Sequence, residues 1–359
     1  MDLLTNPIKD YDWGSRTHIA GLTGRAAAGP EAEMWLGAHP SGPSILVRDG
    51  LAQPLHDVVA ADPRGELGEA VVGRFGPRLP YLLKLIAVDR PLSLQVHPTA
   101  EQAADGHGRG DANYSDPWPK PEMICALTPF TALAGFREPA QAAMLIGRLC
   151  VEPLAPIVER LTDGDILGAL EALLATPIPV EKIAWAASSV HHPDYELVVR
   201  LARLFPEDPA VLAPLLLRRH ELRRGEALFL GAGVLHCYVS GFGVEIMGSS
   251  DNVLRAGLTS KPIDVPELLR VTDGAAQPLP VVPVDGVYAP PTPEFLLRRL
   301  TNGGTLASAA PRVAVCTEGS VTVGHELKLL AGESVYLPAS DGPTEISTGG
   351  TLFVAEPQI

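Results

Sequence analysis

Aromatic residues are scarce in this sequence, at 5% of 359 positions, so a core has to be assembled mostly from Ala, Val and Leu. Cysteine is scarce as well. Cys125, Cys150, Cys237 and Cys316 form no Cys-x-x-Cys pair and no scaffold-like spacing, which excludes a disulfide-stapled secreted module and points to reduced thiols. Positive charge is short, with 28 Lys+Arg against 42 Asp+Glu and a net charge of −14. With no basic run, nucleic acid is excluded as a general partner. An anionic substrate then needs a positive site built locally against that field. Long apolar runs are missing too: the stretch Leu79 to Val88 is broken by Pro80 and Lys84, so no membrane span is expected. The first residues lack a basic segment followed by an apolar one, and a cytoplasmic location is the expectation.

Glycine and proline, by contrast, are abundant at 35 each. That is about a fifth of the chain where roughly 12% is usual, and no collagen-like period accompanies it. The excess reads as many tight turns between short elements, which favours β-structure. Pro80–Val88, Leu92–Val96 and Glu122–Leu127 read as strands bounded by turn residues. From about Glu138 the pattern becomes helical. Pro139–Leu149, Asp165–Leu174 and Tyr195–Phe205 each repeat apolar residues at three- and four-residue spacing, so an all-helical insertion is expected over 138–217. β-like sequence resumes at Arg223. Gly225-Glu-Ala-Leu-Phe-Leu is echoed by Gly332-Glu-Ser-Val-Tyr-Leu, a turn-then-strand unit that recurs in double-stranded β-helix barrels. The predicted fold is therefore mainly β, with two cupin-like jelly-roll barrels and an all-helical insertion. The first barrel spans 1–137 and 218–262, the second 263–359, and the Pro-rich stretch 278–293 connects them.

Ten histidines are scattered along the chain without a His-x-x-x-His pattern. His191, His192 and His220 read as surface or capping residues. Gln95 and His97 differ, because positions two apart on a strand share a face. Lys120 and Glu122 repeat that geometry around Pro121, which biases Lys120 toward extended backbone. Alternation likewise points His236 and Tyr238 the same way and turns Cys237 into the opposite wall. Glu245, Asp251, Asn252 and Arg255 then crowd a Gly/Ser-rich segment with polar groups.

Taken together, Tyr11-Asp-Trp-Gly14, Leu92-Ser-Leu-Gln-Val-His-Pro98, Lys120-Pro-Glu-Met123, His236-Cys-Tyr238 and Ser250-Asp-Asn-Val-Leu-Arg-Ala-Gly257 resemble the type I phosphomannose isomerase family, in the right order as far as Pro262. The resemblance implies one Zn²⁺ per chain, with ligands on Gln95, His97, Glu122 and His236, and Arg255 as the catalytic arginine. It places Trp13, Lys84, Ser93, Lys120, Tyr238, Glu245 and Asp251 near the site. The family often has a small residue where Cys237 stands here, which matters little if the thiol faces away. The implied reaction interconverts mannose 6-phosphate and fructose 6-phosphate by proton transfer through an enediolate. Two histidines, one carboxylate and one amide oxygen suit zinc, which must accept a fifth ligand to be catalytic. Lys120 and Glu245 are both candidates for the base, and Lys84 or Lys261 for gripping phosphate. The partner expected is a small sugar phosphate, taken up by a monomer. The rival readings are another metal-dependent cupin isomerase, an Fe²⁺ oxygenase, and a non-catalytic sugar-phosphate-sensing bicupin. Stepping eleven residues on from Gly225 reaches His236, whereas the same step from Gly332 reaches Pro343, so the second barrel is expected to hold no metal.

Overall fold

A single strand, His236–Gly248, organises the first half of the molecule. Its C-terminal half pairs antiparallel with Tyr81–Val88 on one side and Glu122–Ala126 on the other. Its N-terminal half pairs instead with Phe130–Phe136, with a register shift between Tyr238 and Ser240. That bulge lets one strand serve two directions of an eleven-stranded sheet system. The computed structural model describes residues 1–307 and 309–359.

Period-two alternation divides the strands of this system between two environments. From Tyr81–Val88, the residues Tyr81, Leu83, Leu85 and Ala87 enter one apolar core with Met123, Cys125, Val244 and Ile246. Phe295, Val313, Tyr336 and Phe353 from the C-terminal part of the chain complete that core, so it is shared between the two halves of the molecule. Residues between them in sequence face inward: Ile86, Val88, Ile124 and Ala126 pack with Phe130, Leu228 and Tyr238. The other end of the system backs onto helices. Leu94, Val96, Leu133, Cys237, Leu254 and Ala256 share a core with residues from 139–216.

The helical pattern read from the sequence corresponds to Pro139–Gly147, Ala155–Thr162, Ile166–Ala175, Val180–Ser188, Pro193–Leu204 and Ala213–Leu216. Asp165 and His192 cap two of them, accepting from the backbone N–H of Gly168 and Asp194. Helices also form where none were expected, at Leu55–Ala61, Pro63–Leu67, Glu69–Phe75, Ala100–Gly108 and Val265–Val271. The architecture is thus mixed sheet and helix rather than mainly β. Most of these extra helices are five to seven residues long, too short for a periodic signal. Ala100–Gly108 carries a different local signal, the capping box of Thr99 and Gln102.

The C-terminal part forms a six-stranded and a four-stranded sheet. Ala314, Val335 and Val354 from one meet Val321, Leu329 and Ile346 from the other in a dry core. Within 278–293, Leu279–Val281 pairs with Ala227–Leu230, and Val287–Tyr288 with Leu296–Leu300. The start of the chain departs from the expected division at 137 and 263. Asp2–Leu4 pairs in register with Ser334–Leu337 and so extends the C-terminal sheet.

Candidate metal centre and substrate cavity

The inward faces of the first sheet system line a cavity of about 1310 Å³. Register builds its floor in rows. Gln95 lies opposite His236 on one side and Arg255 on the other, which puts three polar residues side by side on one face. A second row carries Trp35, Lys84 and Glu245, and in the next Glu122 lies opposite Met247.

His97, Glu122 and His236 are all buried, and their ligand atoms lie within 4.8 Å of one another. His97 donates its Nδ1–H to the carbonyl of Asn252 at 2.9 Å, and His236 donates its own to Val234 at 2.8 Å. Because a carbonyl only accepts, both imidazoles present an Nε2 lone pair toward the cavity. Those lone pairs face the Glu122 carboxylate, Oε1 at 3.1 Å from His97 and Oε2 at 3.3 Å from His236. His97 Nε2 and Glu122 Oε2 are buried and have no hydrogen-bond partner. Acceptors facing acceptors in a dry site repel each other unless a cation lies between them. The side amide of Gln95 reaches 3.4 Å from His236 Nε2. Turned over, it brings its oxygen to the same point. The four residues fit a divalent metal, and the set of two imidazoles, one carboxylate and one amide suits zinc.

Electrostatics favour the ligand forms. Burial pulls the His97 imidazole down to about 4, so it stays neutral at pH 7. Burial opposes the charge on Glu122, but neighbouring positive charge from Lys120 helps to outweigh it, and the carboxyl is held well below the usual range. Lys120 Nζ lies 3.2 Å from Glu122 Oε1. Cys237 turns away as alternation requires, its thiol donating to the Leu92 carbonyl at 3.0 Å.

The remaining sequence-derived candidates, Trp13, Lys84, Ser93, Lys120, Tyr238, Glu245, Asp251, Arg255 and Lys261, all line the cavity. Their states differ. Lys84 is buried between Glu33 at 3.4 Å and Glu245 at 3.3 Å, and these carboxylates outweigh burial to hold its ammonium above the ordinary lysine range. Burial raises the Glu245 carboxyl in spite of Lys84, and it pushes the Tyr238 phenol well up. Burial draws the Arg255 guanidinium down. Lys261 is exposed, on the wall that also carries Thr259 and Ser260.

Sequence reading missed several contributors. Glu33 accepts from the Trp35 indole N–H at 2.7 Å and from Lys84, but it sits in a plain strand far from any motif. Asp208, from the helical region, accepts from the backbone N–H of Leu258 at 2.6 Å. That contact steadies a non-glycine residue at φ 54°, just after Gly257, where a Cβ would come within 2.2 Å of Ala210. Proximity across 50 residues of sequence carries no local signal.

Set against known proteins, residues 1–139 match the family model described as phosphomannose isomerase type I, catalytic domain. The chain is 33% identical to the mannose-6-phosphate isomerase of Escherichia coli (strain K12), with 98% of each chain covered. It is 28% identical to that of Homo sapiens over 98% of this chain and 92% of the relative. A crystal structure of mannose 6-phosphate isomerase from Salmonella typhimurium, bound to its substrate fructose 6-phosphate and to zinc, superimposes with a TM-score of 0.92 at 30% identity, covering both chains fully.

Proposed function

The chain belongs to the type I phosphomannose isomerase family, and from that premise we propose how its cavity interconverts mannose 6-phosphate and fructose 6-phosphate. The observation that carries the reading is the knot of facing acceptors. His97, Glu122 and His236 turn lone pairs on one buried point, with the Gln95 amide beside it. Zinc bound there supplies Lewis acidity toward the carbonyl and hydroxyl oxygens of the open-chain sugar.

The other steps belong to the chain. Lys120, whose Nζ lies against the Glu122 ligand oxygen, is the group placed to move the proton, taking it from C2 as the free amine and returning it to C1 as the ammonium. A proton leaves C2 of the aldose, negative charge develops on the oxygen, and the proton returns at C1. Arg255, in register with Gln95 and in no ion pair with a carboxylate among the described residues, faces that developing charge. Glu245 shares Lys84 with Glu33 and so serves as a binding and charge-balancing group in the neighbouring row. That engagement also removes Lys84 as a phosphate grip. Lys261, with Thr259 and Ser260 beside it, takes the phosphate at the mouth. Trp13, Ser93, Tyr238 and Asp251 line the walls against the sugar.

The same reading takes the two sheet systems as cupin-type jelly rolls and 138–217 as a helical insertion in the first. The site so read is complete within one chain, and the same reading takes the protein as a monomer. Isomerisation in D₂O tests the proton route, with deuterium expected at C1 of the product. Complete retention of the substrate hydrogen at all pH values overturns it in favour of hydride shift. Solvent exchange persisting in Lys120→Met and lost in Glu245→Gln reassigns the base.

A further inference from the structure

Asn252 is fully buried, and it belongs neither to the ligand set nor to the cavity wall. Its side-chain amide is nevertheless bonded on both its oxygen and its nitrogen. Oδ1 accepts from the backbone N–H of Ser115 at 2.8 Å and of Asp116 at 3.4 Å. Nδ2 donates to the carbonyls of Asp116 at 2.7 Å and Trp118 at 3.0 Å. The residues beside it reinforce the same grip: Ser250 Oγ donates to the Trp118 carbonyl at 3.2 Å, and Asp251 N–H to Asp116 Oδ2 at 3.0 Å. The backbone carbonyl of Asn252 is also the acceptor that orients His97, at 2.9 Å.

Those contacts converge on the metal from two sides. The gripped segment ends at Trp118 and continues Pro119-Lys-Pro-Glu122, in which two prolines leave little freedom between the clamp and the side chains it delivers. Fixing Asp116 and Trp118 therefore fixes Lys120 and Glu122. On the other side, the carbonyl sets the tautomer and ring orientation of His97. Three residues further on, the same segment supplies Arg255.

We infer that Asn252 is a positioning residue, one amide that holds the Lys120–Glu122 segment in register with His97 so that ligands and proton carrier meet at one point. It rests on the assignment of zinc and Lys120 given above. Groups oriented in this way through a partner commonly lose 10–100-fold in metal affinity or rate when the partner is removed.

The test uses the full-length protein with Asn252→Ala and the near-isosteric Asn252→Asp, which keeps the acceptor oxygen and loses both donations. Zn²⁺ affinity by chelator competition is expected to fall about 10–100-fold in Asn252→Ala and less in Asn252→Asp, with kcat reduced and KM little changed. In the double variant with Lys120→Ala, the kcat loss from Asn252→Ala is expected to shrink, because part of that loss passes through Lys120. Should Asn252→Ala fail to fold, Asn252→Asp carries the same comparison. Wild-type Zn²⁺ affinity in a folded variant, or kcat losses that multiply in full with those of Lys120→Ala, overturns the inference. Absence of isomerisation by the zinc-loaded wild type counts against the proposed function instead, and the affinity arm still reports on Asn252.

Discussion

At Gly225 and at Gly332 the backbone does the same thing. Both glycines sit in the left-handed region, at φ 85° and 89°, and each opens a four-residue strand, Ala227–Leu230 and Ser334–Leu337. The glutamate that follows folds back in each: Glu226 accepts from Arg223 N–H at 2.8 Å and Glu333 from Leu330 N–H at 2.7 Å. Beyond the strand the two regions part. Eleven residues after the first glycine stands His236; after the second stands Pro343. The inner faces diverge in the same sense, toward Lys84, Glu122 and Glu245 in one system and toward Val321, Leu329 and Ile346 in the other. Among the described residues no second His/Cys/Asp/Glu cluster accompanies the first. A repeated turn therefore opens each strand, while chemistry depends on what each strand turns inward.

The sharpest challenge to this contrast is the metal itself. Chelation is expected to abolish activity and zinc to restore it, with elemental analysis giving one zinc per chain. Glu122→Gln, which removes the only charged ligand, is expected to release the metal at lower chelator concentration. Two tightly held metals per chain would erase the distinction between the halves.

Next in size is Arg255→Ala. If the guanidinium meets charge that exists mainly in the transition state, kcat falls by about 10²–10³ with KM little changed. Steady-state kinetics decide it, and a raised KM at full kcat moves Arg255 to phosphate binding.

The pH dependence of metal-free protein sharpens the comparison further. His97 is held at about 4 by burial, below the ordinary 6.5, so the unfolded chain takes up a proton that the folded chain refuses. Stability is expected to decline as pH falls from about 6.5 toward 4, by up to about 3 kcal/mol, and zinc is expected to suppress the decline. Urea midpoints at pH 7 and pH 4.5, with and without zinc, measure it; an unchanged midpoint removes His97 as the cause.

The smallest effect comes from the shared turn. Glu226→Ala and Glu333→Ala each delete one side-chain cap on a surface turn, worth about 0.5–1 kcal/mol, and are expected to lower Tm alike. Zinc retention is expected to drop only in Glu226→Ala, because its strand pairs directly with Glu122–Ala126.

Much of the site was legible because strands advertise their faces. Gln95 with His97, Lys120 with Glu122, and His236 with Tyr238 are each two apart, and each pair turns toward the cavity region as that spacing requires. The helices of 139–216 were legible for the same reason at a longer period. What stayed hidden is relational. Glu33 reaches Lys84 across neighbouring strands, and Asp208 reaches Leu258 from a helical connection. The short helices near Leu55–Phe75 contain Gly65 and Gly73 and too few turns for a period to show. Nor does any pattern in Asp2–Leu4 announce that its partner is Ser334–Leu337.

That pairing has a consequence for how the molecule is made. About 330 residues of chain separate the two strands, and translation at about 5–20 residues per second takes roughly 15–70 s to cover them. For that time a nascent segment destined for a sheet edge lacks its strand partner. The eleven-stranded system, whose strands lie between residues 8 and 281, can assemble first. The C-terminal sheet then closes last, by recruiting a strand synthesised about 330 residues earlier, a contact of the kind that makes folding slow. Removing residues 1–4 should therefore leave the metal-binding strands intact while exposing Ser334–Leu337 as an open edge, the arrangement in which chains begin to pair with one another.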